Sequence, residues 1–337
     1  MGIYTKEEAK SILEKALSFS SADTCEVSFG GSNSGNIRYA RNSVSTAGYR
    51  SNQTLVVNSS FGKKVGTATS NELTDEAIQR VVKRSEELAR LSPENPEFME
   101  PLGPQDYLES ATYVEKTAKI TPEQRAEIAA NSIEPARAQD VTAAGFLNDS
   151  DGFSAMMNSN GLFAYNRSTS ANFTVTMRSN DGTGSGWATS DVNDISKLNA
   201  SDASKRAIDK ALMSRNARAI EPGKYTVIMD PAASVQLLGN MLGSFNARTA
   251  DEGRSFMSKG DGGNKLGDKI VDERVNLYTD PLHPEVPTST WNGNGQPVKK
   301  MSLIENGVVK NLFYGRYWAD QKGVEAVPFP SNGIMEG

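Results

Sequence analysis

Histidine and cysteine are almost absent from this 337-residue chain, which holds one of each, His283 and Cys25. Zinc in proteins is held mostly by histidine and cysteine, with aspartate or glutamate completing the set. A catalytic triad also needs a histidine beside its nucleophile. The scarcity therefore excludes a two-histidine zinc helix and most other hydrolytic chemistries. A lone cysteine also excludes an internal disulfide, as expected in a reducing cytoplasm.

Strong charge of one sign and long apolar runs are missing as well. The net charge is −5 with a pI near 5.3, and no Lys/Arg stripe is present, which argues against nucleic-acid binding. No run of 18 apolar residues could span a membrane. The first four residues lead directly into a polar helix, so we expect no secretory signal and a cytoplasmic protein. Lys6 stands where a myristoylation motif needs Ser or Thr.

The first hundred residues combine helix signals with alternating strands. Thr5 and Glu8 form a capping box before an apolar helical face. Residues 25–69 alternate as strands, with segments at 36–41, 44–50, 54–60 and 63–69, and Cys25 is expected to be a small buried hydrophobic residue. A second helix begins near Thr74. Four prolines in residues 92–104 predict an extended connector.

The middle of the chain repeats the order of helix and sheet. Pro122 opens a third helix, and residues 141–187 resemble an antiparallel meander. Its predicted turns are the pairs Asp151-Gly152, Asn160-Gly161 and Asp181-Gly182. A fourth helix is predicted over residues 200–216. This order indicates an α+β fold with mostly antiparallel sheets and flanking helices.

Glu221-Pro222-Gly223 predicts a boundary between two domains. The first, residues 1–220, is an α+β domain that contains the connector. The second, residues 221–337, is β-rich. It opens with a predicted strand at residues 225–229.

A helix follows that strand. Asp230 can cap it and Pro231 suits its first turn. Its apolar stripe predicts a buried core helix, and two glycines four apart, Gly239 and Gly243, leave a bare face where another backbone could pack. The stripe consists of Val235, Leu238, Leu242 and Phe245.

Three segments resemble ligand-binding loops or could act as such, but the residues around them favour turns or simple loops. Residues 149–152 begin like a calcium loop, but the twelfth position is Asn160 rather than Glu, so a hairpin turn is favoured. Residues 182–186 are glycine-rich like a phosphate-binding loop, but no Lys-Ser/Thr follows, which favours a hairpin tip. Residues 260–264 are interpreted as a mobile loop.

The adjacent carboxylates are expected to be solvated pairs rather than acid–base dyads, since neighbours in sequence usually point apart. These pairs are Asp251-Glu252 and Asp272-Glu273. His283 precedes a proline, which predicts a surface turn without a catalytic role.

Seven short segments, in order along nearly the whole chain, resemble the TldD/PmbA family, also called TldD/TldE and once described as modulators of DNA gyrase. They are residues 61–66, 92–98, 225–231, 265–269, 277–281, 303–309 and 317–319. The resemblance implies a metallopeptidase system that cleaves unfolded or extended peptides, including precursors of some modified peptides.

The family's catalytic member carries His-Glu-x-x-x-His on the helix that corresponds here to residues 232–245. The matching positions are Gly239, Asn240 and Ser244, none of which is a strong zinc ligand. The resemblance is therefore to the PmbA/TldE branch. It implies no catalytic residue and no cofactor in this chain, with zinc in a TldD-like catalytic partner.

Two departures from the family pattern bear on this inference. Residues 291–295 replace an acidic turn, and the sequence ends at Gly337 where relatives continue, so we expect an incomplete C-terminal domain. Besides a partner subunit that helps enclose an extended peptide, two alternatives remain open. One is a self-sufficient metal-dependent hydrolase using Asp251, Glu252 and His283. The other is a peptide- or protein-binding module without a peptidase role.

Overall fold

The computed structural model describes residues 2–329 and 331–336, which form two antiparallel sheets with flanking helices. The predicted α+β class is confirmed. The first half contains α1 (Lys6–Ser18), β1 (Thr24–Ala40), β2 (Ser43–Phe61), β3 (Lys64–Ser70), α2 (Asp75–Leu91), α3 (Glu115–Ala118), α4 (Pro122–Ala138), β4 (Val141–Asn158), β5 (Phe163–Ser179) and β6 (Ser185–Val192). The second half contains α5 (Ala200–Met213), α6 (Pro231–Gly243), α7 (Ala247–Asp251), β7 (Asn276–Thr279), β8 (Met301–Glu305), β9 (Val308–Val309), α8 (Arg316–Lys322) and β10 (Ile334–Glu336).

The larger sheet has six strands in the order β3-β2-β1-β4-β5-β6, all antiparallel. Four of these strands are 17 to 19 residues long. In the central strand β1, Glu26 lies opposite Asn58 of β2 and Asn158 of β4. This register places the three polar side chains side by side on one face, because strand residues directly opposite each other project to the same side.

The other face of this sheet carries two apolar cores, one at each end of the long strands. Successive side chains alternate between faces, so Val27, Phe29 and Tyr39 all belong to this buried face. At one end β1, β2 and β4 pack on α1 and α2. At the other end β1, β4, β5 and β6 pack on α4 and α5. Cys25 lies in the first core at 2% exposure, which confirms the prediction of a buried residue.

Helices α1, α2 and α6 each begin directly after a residue whose side chain caps the helix N-terminus. The Thr5 hydroxyl accepts from the Glu8 N–H, and the Glu8 carboxylate accepts from the Thr5 N–H. Thr74 caps α2, which begins where predicted, and Asp230 caps α6, as predicted. None of the helices in the described part of the chain is long and apolar enough to cross a membrane.

The smaller sheet has the order β10-β7-β8-β9 and packs with α7 and α8 around a third core. Residues 92–114, mostly without regular structure, run between the two sheets. Tyr107 in this stretch donates a hydrogen bond to the Gly295 carbonyl at 2.7 Å, and the Thr290 hydroxyl donates to the Leu108 carbonyl at 2.7 Å. These bonds tie the stretch, which in sequence lies between β3 and β4 of the larger sheet, to the loop before β8 of the smaller sheet.

One predicted turn is wrong. Residues 149–152 are not a hairpin turn, because β4 runs without interruption from Val141 to Asn158. Asp149 is bound by Arg125 and Asp151 by Arg167, so each aspartate is stabilised within the strand. The reversal comes later at Asn160-Gly161, as predicted, and Asp181-Gly182 also turns.

Strand and helix lengths also differ from prediction. The segments at 44–50 and 54–60 form one strand, β2, and the predicted helix over 200–216 ends at Met213. The glycine-rich residues 182–186 are divided between a turn and the start of β6. The backbone of α5 lies directly over Gly184 and Gly186, so these glycines serve close packing.

The largest correction concerns residues 225–243. The predicted strand at 225–229 is absent, and that segment is exposed, with Ile228 98% accessible. The following helix, α6, is formed but contains no buried residue. Leu238 and Leu242 reach the third core from one side, and Phe245 beyond the helix is buried, whereas Val235 is exposed. The apolar stripe is real, but the described residues cover only part of it.

Candidate functional site

Helix α6 presents small and neutral polar side chains where a metal-binding helix would present imidazoles and carboxylates. Gly239 and Asn240 are exposed, and Ser244 forms the C-terminal cap of the helix. A side chain at Gly239 or Gly243 would meet no atom within 4 Å, so no backbone of the described residues packs on this face. A glycine, an amide and a hydroxyl do not fit a structural or catalytic zinc ion.

The alternative metal site was expected to use Asp251, Glu252 and His283. Each of these residues binds different partners in the structure. Asp251 accepts from the Trp318 indole at 2.9 Å and from the Asn264 amide at 2.7 Å. Glu252 is bound by Arg248 and Arg254. The structure thus corrects the expectation that Asp251-Glu252 is a solvated pair, because Asp251 is mostly buried. Its pKa is lowered, since these hydrogen bonds and Lys322 outweigh the effect of burial.

His283 and the second carboxylate pair lie in exposed or half-buried positions. The His283 Nδ1 accepts from the Glu285 N–H at 3.3 Å in a loop, as predicted. Asp272 binds Arg274, and Glu273 binds Lys269 on the surface. In residues 2–329 and 331–336 no group of three or more His, Cys, Asp or Glu side chains could hold a metal ion.

A polar cavity lies elsewhere, between the larger sheet, the connector and α8. Its volume is about 450 Å³, within the range of ligand pockets. One wall is the polar end of the sheet, with Glu26 and Asn58. The lining also includes Arg316 and Trp318, which α8 contributes. No sequence motif indicated this cavity.

An ion pair forms part of the cavity's rim and joins the connector to α7. Arg248 donates through Nη1 and Nη2 to the two carboxylate oxygens of Glu97, both at 2.8 Å. Because Glu252 also binds this guanidinium, both acidic partners raise its pKa. The Trp318 ring lies 5.4 Å from the same guanidinium. Arg248 is therefore fully engaged and holds the wall in place.

Glu26 and Arg316 are the two half-buried charges of the cavity that form no ion pair among the described residues. Burial raises the pKa of Glu26, an effect that the Asn58 side chain and the Arg316 charge partly offset. Burial lowers the pKa of Arg316, and the charge of Glu26 opposes that change. Each charged form is thus poorly solvated, and each would gain from a bound counter-charge.

A free strand edge is the second feature suited to binding. Strand β3 pairs only with residues 55–61 of β2. Residues 43–54 of β2 therefore have β1 on one side and no paired strand on the other within the described residues. The side chains of residues 43–50 are exposed on both faces, including Val44 and Tyr49. Such an edge can accept an additional strand.

The sequence held partial signals for these features. Glu26 alternates with apolar residues in β1, which places it on the polar face. Arg316 and Glu97 adjoin or lie in segments that resemble the TldD/PmbA family. Nothing local indicates that residues 290 positions apart share one cavity.

Comparison with known families matches three successive models to the chain. Residues 25–89 match domain 1 of the PmbA/TldA metallopeptidases, residues 115–215 the central domain and residues 222–334 the C-terminal domain. An uncharacterized protein of Methanocaldococcus jannaschii is 26% identical over 196 residues, 57% of this chain and 44% of that protein. A metalloprotease of Methanothermobacter thermautotrophicus is 25% identical over 186 residues, 52% and 39% of the two chains. The aligned region thus spans about two fifths of these curated relatives.

Solved structures share the fold. TldE from Thermococcus kodakarensis superposes with a TM-score of 0.82 at 19% identity, over 97% of this chain and 77% of that one. A Thermotoga maritima protein named as a modulator of a DNA gyrase gives 0.83 at 18% identity, over 96% and 74%. With family models matching along nearly its whole length, this chain belongs to the PmbA/TldD metallopeptidase family.

Proposed function

We propose that this chain is the non-catalytic partner subunit of a TldD-type metallopeptidase complex that cleaves unfolded or extended peptides. The observation that carries the proposal is the chemistry of α6. The family resemblance aligns Gly239, Asn240 and Ser244 with the catalytic branch's His-Glu-x-x-x-His. No histidine, cysteine or acid lies between Pro231 and Ser244. Zinc would then be held by the other subunit, in the cytoplasm.

A role in holding an extended peptide is supported by the edge of β2. Main-chain hydrogen bonds to a free strand edge give affinity with little dependence on the peptide's side chains. Residues 43–54 supply such an edge in a Pro-free run that is mostly polar. A peptidase that acts on unfolded chains needs this tolerance, because its substrates share a backbone and little else.

Docking to a catalytic subunit is supported by the apolar residues that remain exposed between residues 220 and 237. They are Ile220, Tyr225, Val227, Ile228, Met229, Val235 and Leu237. Apolar patches of this kind mark interaction surfaces in many proteins. We further propose that the chain has two domains, residues 1–220 and 221–337, so that this exposed stretch begins the second domain.

The test is affinity purification of the tagged protein from its own cells, with mass spectrometry of the co-eluting chains. We expect a stoichiometric relative that carries His-Glu-x-x-x-His, and peptide cleavage only when both chains are present. Recovery of the protein alone, with zinc and peptidase activity in the isolated chain, would show a self-sufficient hydrolase. Recovery alone without metal or activity would leave a binding module, and both results would end the partner-subunit proposal.

A further inference from the structure

Two opposite charges in the cavity between the sheet and α8 act on each other through space but form no contact ion pair among the described residues. Glu26 and Arg316 both line it and are half-buried, yet among the described residues neither takes part in an ion pair within 4.0 Å. The other charged residues of the lining, Glu97 and Arg248, bind each other through two hydrogen bonds. Within the described residues, the cavity therefore has one carboxylate and one guanidinium that lack a contact ion-pair partner.

The Arg316 guanidinium has several N–H donors that no hydrogen bond within the described residues uses. One Nη2–H donates to the Glu100 carbonyl at 2.7 Å, which fixes the guanidinium at the cavity wall. A guanidinium carries five N–H donors, and in the part of the chain that the structure describes no other acceptor binds them. The remaining donors suit a carboxylate, which arginine binds through paired hydrogen bonds.

The rest of the lining suits a peptide. Asn58, Asn95 and Asn294 bring side-chain amides that can donate to and accept from peptide groups. Phe98 and Met99 add apolar surface against which a small side chain can pack. The volume of about 450 Å³ accommodates a small ligand but not a folded segment.

We propose that this cavity binds short zwitterionic peptides, with the α-ammonium at Glu26 and the α-carboxylate at Arg316. Binding would replace two poorly solvated charges by two ion pairs, which is the favourable direction for buried ionic groups. The inference concerns this chain alone and does not depend on a catalytic partner. Short peptides are nevertheless the class of molecule that a peptidase complex releases, so the cavity would hold products or peptide ends.

Calorimetric titration of the isolated full chain with three tripeptides tests the proposal. The probes are trialanine, N-acetyl-trialanine, which lacks the ammonium, and trialanine amide, which lacks the carboxylate. We expect each cap to weaken binding by about tenfold or more, equivalent to about 1.4 kcal/mol. Equal affinities for the three probes, or no saturable heat up to about 10 mM trialanine, would overturn the proposal.

Two variants then assign the ends of the peptide. Glu26→Gln should weaken trialanine and trialanine amide about tenfold and leave the acetylated peptide unchanged. Arg316→Gln should weaken trialanine and the acetylated peptide and leave the amide unchanged. Arg80→Gln, on the exposed face of α2, is the matched control that changes none of the three affinities. If both cavity variants weakened all three peptides equally, the assignment of ammonium and carboxylate would be wrong.

Circular dichroism melting confirms that each variant is folded before titration. If a variant does not fold, the comparison of capped and free peptides on the unaltered protein decides the matter without it. The result of the peptide titration can be distinguished from the result of the test of the proposed function. Peptide binding without a co-purifying metallopeptidase would end the partner-subunit proposal alone, and a recovered partner without peptide binding would end this one alone.

Discussion

Arg125 of α4 and Asp149 of β4 form a buried ion pair that joins the helix to the larger sheet. The Nε and Nη2 atoms of Arg125 donate to the two oxygens of Asp149 at 2.5 and 2.8 Å, and the side chains are 9% and 6% exposed. Arg125 also donates to the Ile120 carbonyl. A Cβ at Gly35 would overlap the guanidinium, so glycine in β1 leaves room for the pair.

Breaking this pair should destabilise the protein strongly. Asp149→Ala leaves the Arg125 charge buried without a partner, and we expect a loss of about 3–5 kcal/mol in the free energy of unfolding. Denaturant unfolding followed by circular dichroism measures it. Asp202→Ala, which removes an exposed pair with Arg206, is the control and should cost less than about 1 kcal/mol. Similar losses in the two variants would show that burial does not govern the pair.

Close packing of β3 on α2 depends on Gly66. A Cβ built there would lie 2.2 Å from the Ala89 nitrogen and 2.2 Å from the Ser85 carbonyl oxygen, both backbone atoms that cannot rotate away. Gly66→Ala should therefore cost about 1–3 kcal/mol or more in unfolding free energy. Gly260→Ala, where no atom lies within 4 Å, is the matched control. A Gly66→Ala protein as stable as the control would mean that the helix moves freely on the sheet.

Cys25 should react slowly with thiol reagents in the native protein. It is buried in the core with α1 and α2, and burial raises the pKa of its thiol, so little thiolate forms at pH 8. We expect the rate of reaction with 5,5′-dithiobis-(2-nitrobenzoate) to rise sharply across the urea unfolding transition. Fast labelling in the absence of urea would contradict the packing of β1 against these helices.

The turn between β5 and β6 should depend on pH through Asp181. Its carboxylate accepts from the Ser179 hydroxyl at 2.5 Å and from the Thr183 N–H at 2.9 Å, which lower its pKa to about 2. Because the folded pKa lies below the ordinary value of 3.8, ionised Asp181 stabilises the turn above that value. This contribution is lost as the pH falls through about 2.

A carbon-13 NMR titration of the Asp181 carboxyl measures this directly. We expect a midpoint near 2 in the intact protein, and a higher midpoint in Thr183→Ala, which removes a hydroxyl donor. A midpoint at 3.8 in the unaltered protein would show that the carboxylate is not bound in the turn.

Local signals predicted much of the fold and little of the cavity. The capping residue Thr5 and the turn at Asn160-Gly161 were predicted because their physics is contained within a few residues. Asp151-Gly152 has the same local preference for a turn, but Arg167 of the neighbouring strand β5 binds Asp151 and holds it in an extended strand. The preference of a short segment yields to a contact that only the folded chain supplies.

The same limit applies to the candidate site. Alternation in β1 puts Glu26 on the polar face, but only tertiary packing places Arg316 in the lining of the same cavity. For α6, helical periodicity correctly identified which side is apolar. Periodicity carries no information about whether another element covers that side, and here Val235 remains exposed.

Replacing the exposed apolar side chains before α6 should change association without changing stability. Ile228 and Val227 are 98% and 69% accessible, so their serine variants lose almost no burial on folding. We expect the Val227→Ser/Ile228→Ser protein to unfold within about 0.5 kcal/mol of the unaltered chain. Analytical ultracentrifugation should show less concentration-dependent self-association, because exposed apolar surface drives non-specific contact.

The control is Val57→Ser, a substitution of the same chemistry in the fully buried part of β2. It should lose several kcal/mol, since it removes buried apolar volume and adds a hydroxyl to an apolar core. If instead the exposed double variant were destabilised as much, residues 227 and 228 would be packed in solution against part of the chain. That result would contradict their exposure, whereas unchanged stability with weaker association would identify this stretch as a surface for contact with another molecule.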